Sequence, residues 1–253
     1  MNRAGLIIAL AIGLAGGLLF GLYPDLDLKV AAFFYDPAKK DFYLRLNPVA
    51  GFFRDAAMWV IGALIAPSFI ALALKLALPR RKLIVAGRAI VFLIATLVVG
   101  PGLVTNVLLK DYWPRSRPID VPQFNGEERF TAWWDPRGAC AKNCSFVAGE
   151  GSGAFWTIAP AALAPPALRP LAYGAALTFG VAVSALRISF GAHFVSDVIF
   201  AGVFMFFVIW AAHGLIYRWP RTRLTDEQVE RAIERIALPP HDFVMGLFGA
   251  RRG

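Results

Sequence analysis

Of 253 residues, 58% are hydrophobic, and a mean hydropathy of +0.58 with the apolar residues gathered in long blocks excludes an ordinary soluble domain. A net charge of +9 would suit nucleic acid, but in so apolar a chain basic residues collect in loops on the cytoplasmic side. The reading is a polytopic membrane protein with no nucleic-acid partner.

An α-helix needs about 20 apolar residues to cross a bilayer core of ~30 Å, and six blocks approach that length: residues 4–22, 56–78, 89–109, 152–168, 171–188 and 195–216. The first follows Arg3. Its length, and the lack of an A-x-A site before Tyr23, favour a span over a cleaved leader. The fourth is short and holds Pro160, Pro165 and Pro166, which shorten or kink a span and are tolerated where neighbouring helices satisfy the released carbonyls. With a cytoplasmic N-terminus, Arg3, then Arg80, Arg81, Lys82 and Arg88, then Arg169, then Arg218, Arg221 and Arg223 fall inside. The positive-inside bias is moderate, because the outer loops at 23–55 and 110–151 also carry cations. The expected architecture is all-α: a bundle of six transmembrane helices over residues 1–217 and a cytoplasmic amphipathic tail over 218–253.

In the first outer loop, Leu26, Leu28, Val30, Phe33 and Phe34, then Phe42, Leu44, Leu46, Phe52 and Phe53, suit short interfacial helices or ordinary cover on the bundle. The second holds the only cysteines, Cys140 and Cys144, which could pair outside the cytoplasm or stay as thiols, and which lack the histidines of a zinc site. Trp113, Trp133 and Trp134 read as interfacial anchors or as a grip on acyl chains or a sugar, and Arg115 as a loop cation or a contact to a second phosphate. In the tail, Thr225 and Gln228 form a capping box before Val229, Ala232, Ile233 and Ile236, predicting a helix that ends at Pro239 and Pro240 and lies on the membrane or docks a partner. His213 reads as packed and His241 as solvated.

Ionisable groups at membrane depth are functional candidates. Lys110 ends the third block, within K-D-Y-W-P-R-S-R-P, and Arg117 follows. Glu150 precedes the fourth block, Arg187 ends the fifth, and His193 and Asp197, spaced i, i+4, open the sixth. The expected topology puts them all at one depth. Three cations, a histidine backed by a carboxylate and a glycine-containing helix start at Ala148 and Gly149 suit phosphoryl transfer, whose transition state spreads negative charge over three equatorial oxygens. Histidine can attack phosphorus if a carboxylate holds its tautomer, a role that falls to Asp197.

These strings resemble the signature motifs of the type-2 phosphatidic acid phosphatase superfamily. K-x6-R-P matches at Lys110, Arg117 and Pro118, and R-x5-H-x3-D at Arg187, His193 and Asp197, with Leu186 where serine is common. The resemblance covers about residues 56 to 217 and implies a six-span lipid phosphatase working through a phosphohistidine on His193, with Lys110, Arg117, Arg187 and the backbone at Ala148 and Gly149 binding phosphate. It implies no metal or other cofactor. The middle motif, usually P-S-G-H, is V-A-G-E at Val147 to Glu150. Glu150 would then be the acid for the leaving group, unless the leaving group needs little protonation or the site is weakened. Ala148 lacks the serine hydroxyl, for which Ser152 is a possible substitute.

By resemblance the substrate is a bacterial envelope lipid: phosphatidic acid, phosphatidylglycerol phosphate, undecaprenyl pyrophosphate or lipid A. The site would face the periplasm from the inner membrane. A phosphotransferase using the same intermediate, or a non-catalytic protein that binds or flips lipid phosphates, are the alternatives.

Overall fold

The computed structural model describes residues 3–249. It is mostly helical, and among the described residues five helices are long and apolar enough to cross a membrane: Arg3–Leu22, Pro48–Ala77, Gly87–Tyr112, Arg169–Ser189 and Val195–Arg218. The chain forms two compact units. One comprises the described residues through Ile61 with Thr96–Trp210, the other Gly62–Ala95 with the described residues from Ala211.

After α1 (Arg3–Leu22), residues 23–55 are not simply interfacial helices. The short α2 (Asp25–Ala32) leads into a two-stranded hairpin, β1 (Tyr35–Asp36) against β2 (Asp41–Phe42), with Tyr35 opposite Phe42. Ala31 and Phe42 bury against Val121, Phe124 and Phe194, so this loop is packed onto the segment that carries the motifs. The helix α3 (Pro48–Ala77) starts at Pro48 rather than near residue 56, so Phe52, Phe53 and Arg54 lie inside it.

The third span begins as α4 (Gly87–Leu97), widens into a π-type stretch over Val98–Leu109 and ends in one α turn, α5 (Lys110–Tyr112). Gly100, Pro101 and Gly102 supply the cause: proline withholds a donor from the i−4 ladder. Asn106 Nδ2 donates to the Pro101 carbonyl at 2.8 Å. A side chain at Gly100 would collide with Met205 Sδ, its Cβ only 2.7 Å away.

The fourth block begins at Gly149 and is broken into α6 (Gly149–Trp156) and α7 (Ile158–Ala162) at Thr157, whose hydroxyl donates to the Ala154 carbonyl. Together the two helices extend about 21 Å at 1.5 Å per residue, short of a ~30 Å core. They are almost wholly buried. Phe155 wedges into the space left by Gly180 and Gly202, where an added Cβ would lie 2.3 and 3.2 Å from its ring.

The helix α8 (Arg169–Ser189) ends in a Schellman turn: Ala192 N–H donates to the Arg187 carbonyl and Gly191 N–H to the Ile188 carbonyl, with Gly191 at φ 66°. That turn leads into His193 and then α9 (Val195–His213), which continues as a π-type turn over Gly214–Arg218.

In the second unit, α10 (Asp226–Gly249) has the expected capping box: Thr225 N–H donates to Gln228 Oε1 at 2.8 Å and Gln228 N–H to Thr225 Oγ at 3.2 Å. It runs through Pro239 and Pro240 instead of ending there. Asp226 pairs with Arg88 at 3.1 Å, and Lys75 Nζ, buried, reaches Glu230 and Glu234 at 2.9 and 2.6 Å. His213 packs against Phe92 and Tyr217, as expected.

Candidate active site

The motif residues converge in the first unit. His193 is 1% exposed, and its Nδ1 lies 2.8 Å from the Ser145 carbonyl. A carbonyl can only accept, so Nδ1 carries the proton and Nε2 keeps its lone pair. Burial, then the charges of Arg187, Lys110 and Arg117, push His193 well below the ordinary histidine value, while the Ser145 carbonyl works the other way. The ring is therefore held neutral at pH 7, with Nε2 unprotonated.

Asp197 does not hold the ring directly. Its Oδ2 is 3.9 Å from His193 Nδ1, and it accepts instead from Ser145 Oγ at 2.5 Å and from Phe194 N–H at 2.8 Å. Ser145 is thus the link, its hydroxyl on Asp197 and its carbonyl on His193. The other carboxylate oxygen of Asp197 takes Arg115 Nη1 at 2.5 Å. Arg115 is fully buried and also pairs with Asp27 at 2.8 Å, so it is neither a loop cation nor placed for a second phosphate.

Lys110 and Arg117 meet at Asn143. Lys110 Nζ donates to Asn143 Oδ1 at 3.0 Å, and Arg117 Nη2 donates to Oδ1 at 3.0 Å and to the Asn143 carbonyl at 2.7 Å. Asn143 sits at φ 54° in the loop closed by a Cys140–Cys144 disulfide, which Cys144 N–H ties to the Lys110 carbonyl. Against Lys110 lies the first turn of α6, whose N-cap Ala148 supplies no side-chain cap to the first amides. Exposed helix amides and fixed cations are the donor types that suit an anion. Ser152 is not among them: the residue is fully buried and bonded to Thr105 at 3.0 Å.

Glu150, in that first turn, bridges two guanidiniums. Arg54 Nε donates to Oε1 at 2.9 Å, and Arg187 Nε stands 3.0 Å from Oε2, close enough to pair although off line for a hydrogen bond. The carboxylate is thus paired with both guanidiniums. Leu186, in place of the family's serine, packs against Ala50, Phe190 and Ala192.

The tryptophans of residues 110–151 bond back onto the protein. Trp113 Nε1 bonds the Trp133 carbonyl at 2.9 Å, and Trp133 and Trp134 reach the carbonyls of Gly17 and Gly21 in α1 at 3.1 and 3.4 Å. Sequence reasoning missed Ser145, Asn143, Asp27 and the pairing of Arg54; the N-C-S string beside the cysteines was the one local signal.

The model of the PAP2 superfamily matches residues 88–223. The chain is 34% identical over 227 residues to a lipid A 4'-phosphatase of Francisella tularensis subsp. novicida, spanning 86% of this chain and 98% of that one. Lipid A 4'-phosphatases of Rhizobium leguminosarum and Rhizobium etli are 39% and 37% identical over 106 and 105 residues, each match covering 42% of this chain and 46% or 41% of the relative. No solved structure matches.

Proposed function

Because the chain belongs to the PAP2 superfamily, we propose that this membrane lipid phosphatase removes the 4'-phosphate of lipid A through a phosphohistidine on His193. That it is a multi-pass bacterial membrane protein and a phosphomonoester hydrolase acting on envelope lipids follows from the family and its relatives. The substrate is inferred from the activity named for all three relatives. The observation that carries the mechanism is the neutral His193, its Nδ1 bonded to the Ser145 carbonyl, beside three cations.

In the first step Nε2 attacks phosphorus, the bond from phosphorus to the sugar oxygen breaks, and that oxygen takes a proton from water. Lys110, Arg117, Arg187 and the α6 amides stabilise the equatorial oxygens. Water then attacks the phosphohistidine, the N–P bond breaks, inorganic phosphate leaves and His193 is restored. Glu150 holds Arg187 in place. No step calls on a metal or organic cofactor.

Lys110 and Arg187 close the outward ends of their helices, so the chain between Tyr112 and Arg169 has to return across the bilayer. We assign that crossing to α6, α7 and residues 163–168, giving six crossings, and place the site at the periplasmic face of the inner membrane, with the tail from residue 218 in the cytoplasm.

Purified protein incubated with lipid A, phosphatidic acid, phosphatidylglycerol phosphate and undecaprenyl pyrophosphate, alone and with an acceptor lipid, tests the reading. Expected are free phosphate and lipid A lacking only its 4'-phosphate, both lost in His193→Ala, and an acid-labile, base-stable phosphoprotein on quenching. Release from another lipid alone would move the substrate; phosphate passed to the acceptor would make it a transferase; no turnover in wild type would leave a binding protein.

A further inference from the structure

Behind the histidine lies a buried charged cluster in which Asp27 and Arg115, neither of them a family motif residue, join Asp197. Asp27, on α2, is fully buried; its Oδ1 accepts Ser196 N–H at 3.0 Å, and its Oδ2 accepts the Ser196 hydroxyl and Arg115 Nη2 at 2.8 Å. Arg115 turns one nitrogen to Asp27 and the other to Asp197 and Ser196, donates Nε to the Thr131 carbonyl at 3.1 Å, and lies over the Phe194 ring at 4.6 Å. All three nitrogens of the guanidinium are thereby bonded, through four of its five N–H groups, which suits a fixed brace.

Charge counting gives the brace a consequence. Arg115 alone would cancel Asp197, and a neutral pair would do little for the positive ring that forms when His193 is phosphorylated. Asp27 restores one net negative charge to the buried trio, in a setting where water screens little. We propose that Asp27 and Arg115 are positioning residues for the phosphohistidine: Asp27 keeps the trio anionic, Arg115 fixes Asp197, and Asp197 acts on His193 through Ser145. Residues 23–55 therefore complete the active site instead of merely covering it. The inference rests on His193 being the nucleophile.

The groups around this chain are Arg115, Ser145, the Phe194 amide and His193 at Asp197; Lys110, Arg117 and Arg187 at His193; and Glu150, with Arg54, at Arg187. Asp27→Asn keeps the shape and removes the charge together with one acceptor, because its amide nitrogen must face a donor on Ser196 or Arg115. With the cations left in excess, protonated His193 becomes harder to form, so the acid limb of kcat/KM moves to lower pH.

The test compares wild type, Asp27→Asn, Ser196→Ala and His193→Ala on one lipid phosphate, following kcat, KM and the pH profile. Asp27→Asn should lower kcat by on the order of 10-fold with little change in KM and shift the acid limb down by about one pH unit. Ser196→Ala removes the hydroxyl that donates to Asp27 and accepts from Arg115 but no charge, and should leave the limb in place. The limb reads only folded, active enzyme, so a poor yield of Asp27→Asn does not blunt the result. A superimposable profile for Asp27→Asn, or an equal shift in Ser196→Ala, overturns the inference while the dead His193→Ala keeps the phosphohistidine; an active His193→Ala overturns both.

Discussion

Gly149 leaves room for Lys110: a Cβ at Gly149 would lie 3.0 Å from Lys110 Cε and 3.1 Å from Nζ. The obstacles are the far end of the Lys110 side chain and Asn106 Oδ1 at 3.1 Å, both side-chain atoms, so a methyl there displaces the ammonium rather than unfolding the protein. Gly149→Ala should therefore keep its melting temperature yet lose on the order of 10-fold in kcat/KM, and Gly149→Val about 100-fold, as a displaced catalytic group does. Thermal melts and phosphate release on the same samples check this; equal loss of both would mean that Gly149 serves folding.

The bridge from Arg54 through Glu150 to Arg187 separates an anchor from an acid. An acid matters most for a poor leaving group, whereas an anchor for Arg187 matters equally for all. Glu150→Gln should slow hydrolysis of an aryl phosphate and of the lipid by a similar factor, about 10-fold. A loss confined to the lipid would restore Glu150 as the proton donor.

The motif residues were legible because membrane-spanning helices put their charges at predictable ends: Lys110, Arg187, His193 and Asp197 all fall at a helix terminus or within the first turn of α9. Their supports were not. Ser145 acts through its carbonyl, which every residue has, and Arg54 meets Glu150 across 96 positions of sequence. Pro160 did announce the broken fourth block, but Pro239 and Pro240 misled, since a helix with a strong start and tertiary ion pairs can outlast two missing donors.

The Cys140–Cys144 disulfide closes a small loop, worth up to ~2 kcal/mol by loop entropy, yet its backbone is already tied at Pro114 and Lys110. Its chief consequence is local: it presents Asn143 to Lys110 and Arg117. The double variant Cys140→Ser, Cys144→Ser should raise KM about 3- to 10-fold as the two cations lose their shared acceptor, with kcat nearly intact. Reductant should reproduce the change in wild type and leave the variant unaffected.

In the proposed mechanism the cations that would receive phosphate also set the pH at which His193 can attack. They and burial hold its ring neutral well below the ordinary value of 6.5, so the acid limb should lie below that value. Lys110→Met removes one repelling charge, making the protonated ring easier to form. Its acid limb should move up in pH even as kcat falls. A phosphomonoester itself titrates near pH ~6, but one substrate used for both enzymes cancels that contribution. Stability carries the matching sign: below pH ~6.5 the unfolded chain binds a proton at this histidine that the folded one refuses, so stability falls as pH drops through that value towards the folded pKa. His193→Gln removes this dependence. Denaturation in detergent across pH should show wild type losing stability faster than His193→Gln on acidification; parallel curves would mean that the fold does not lower the histidine's pKa, and a wild type that gains stability relative to His193→Gln would mean that the ring is charged in the fold.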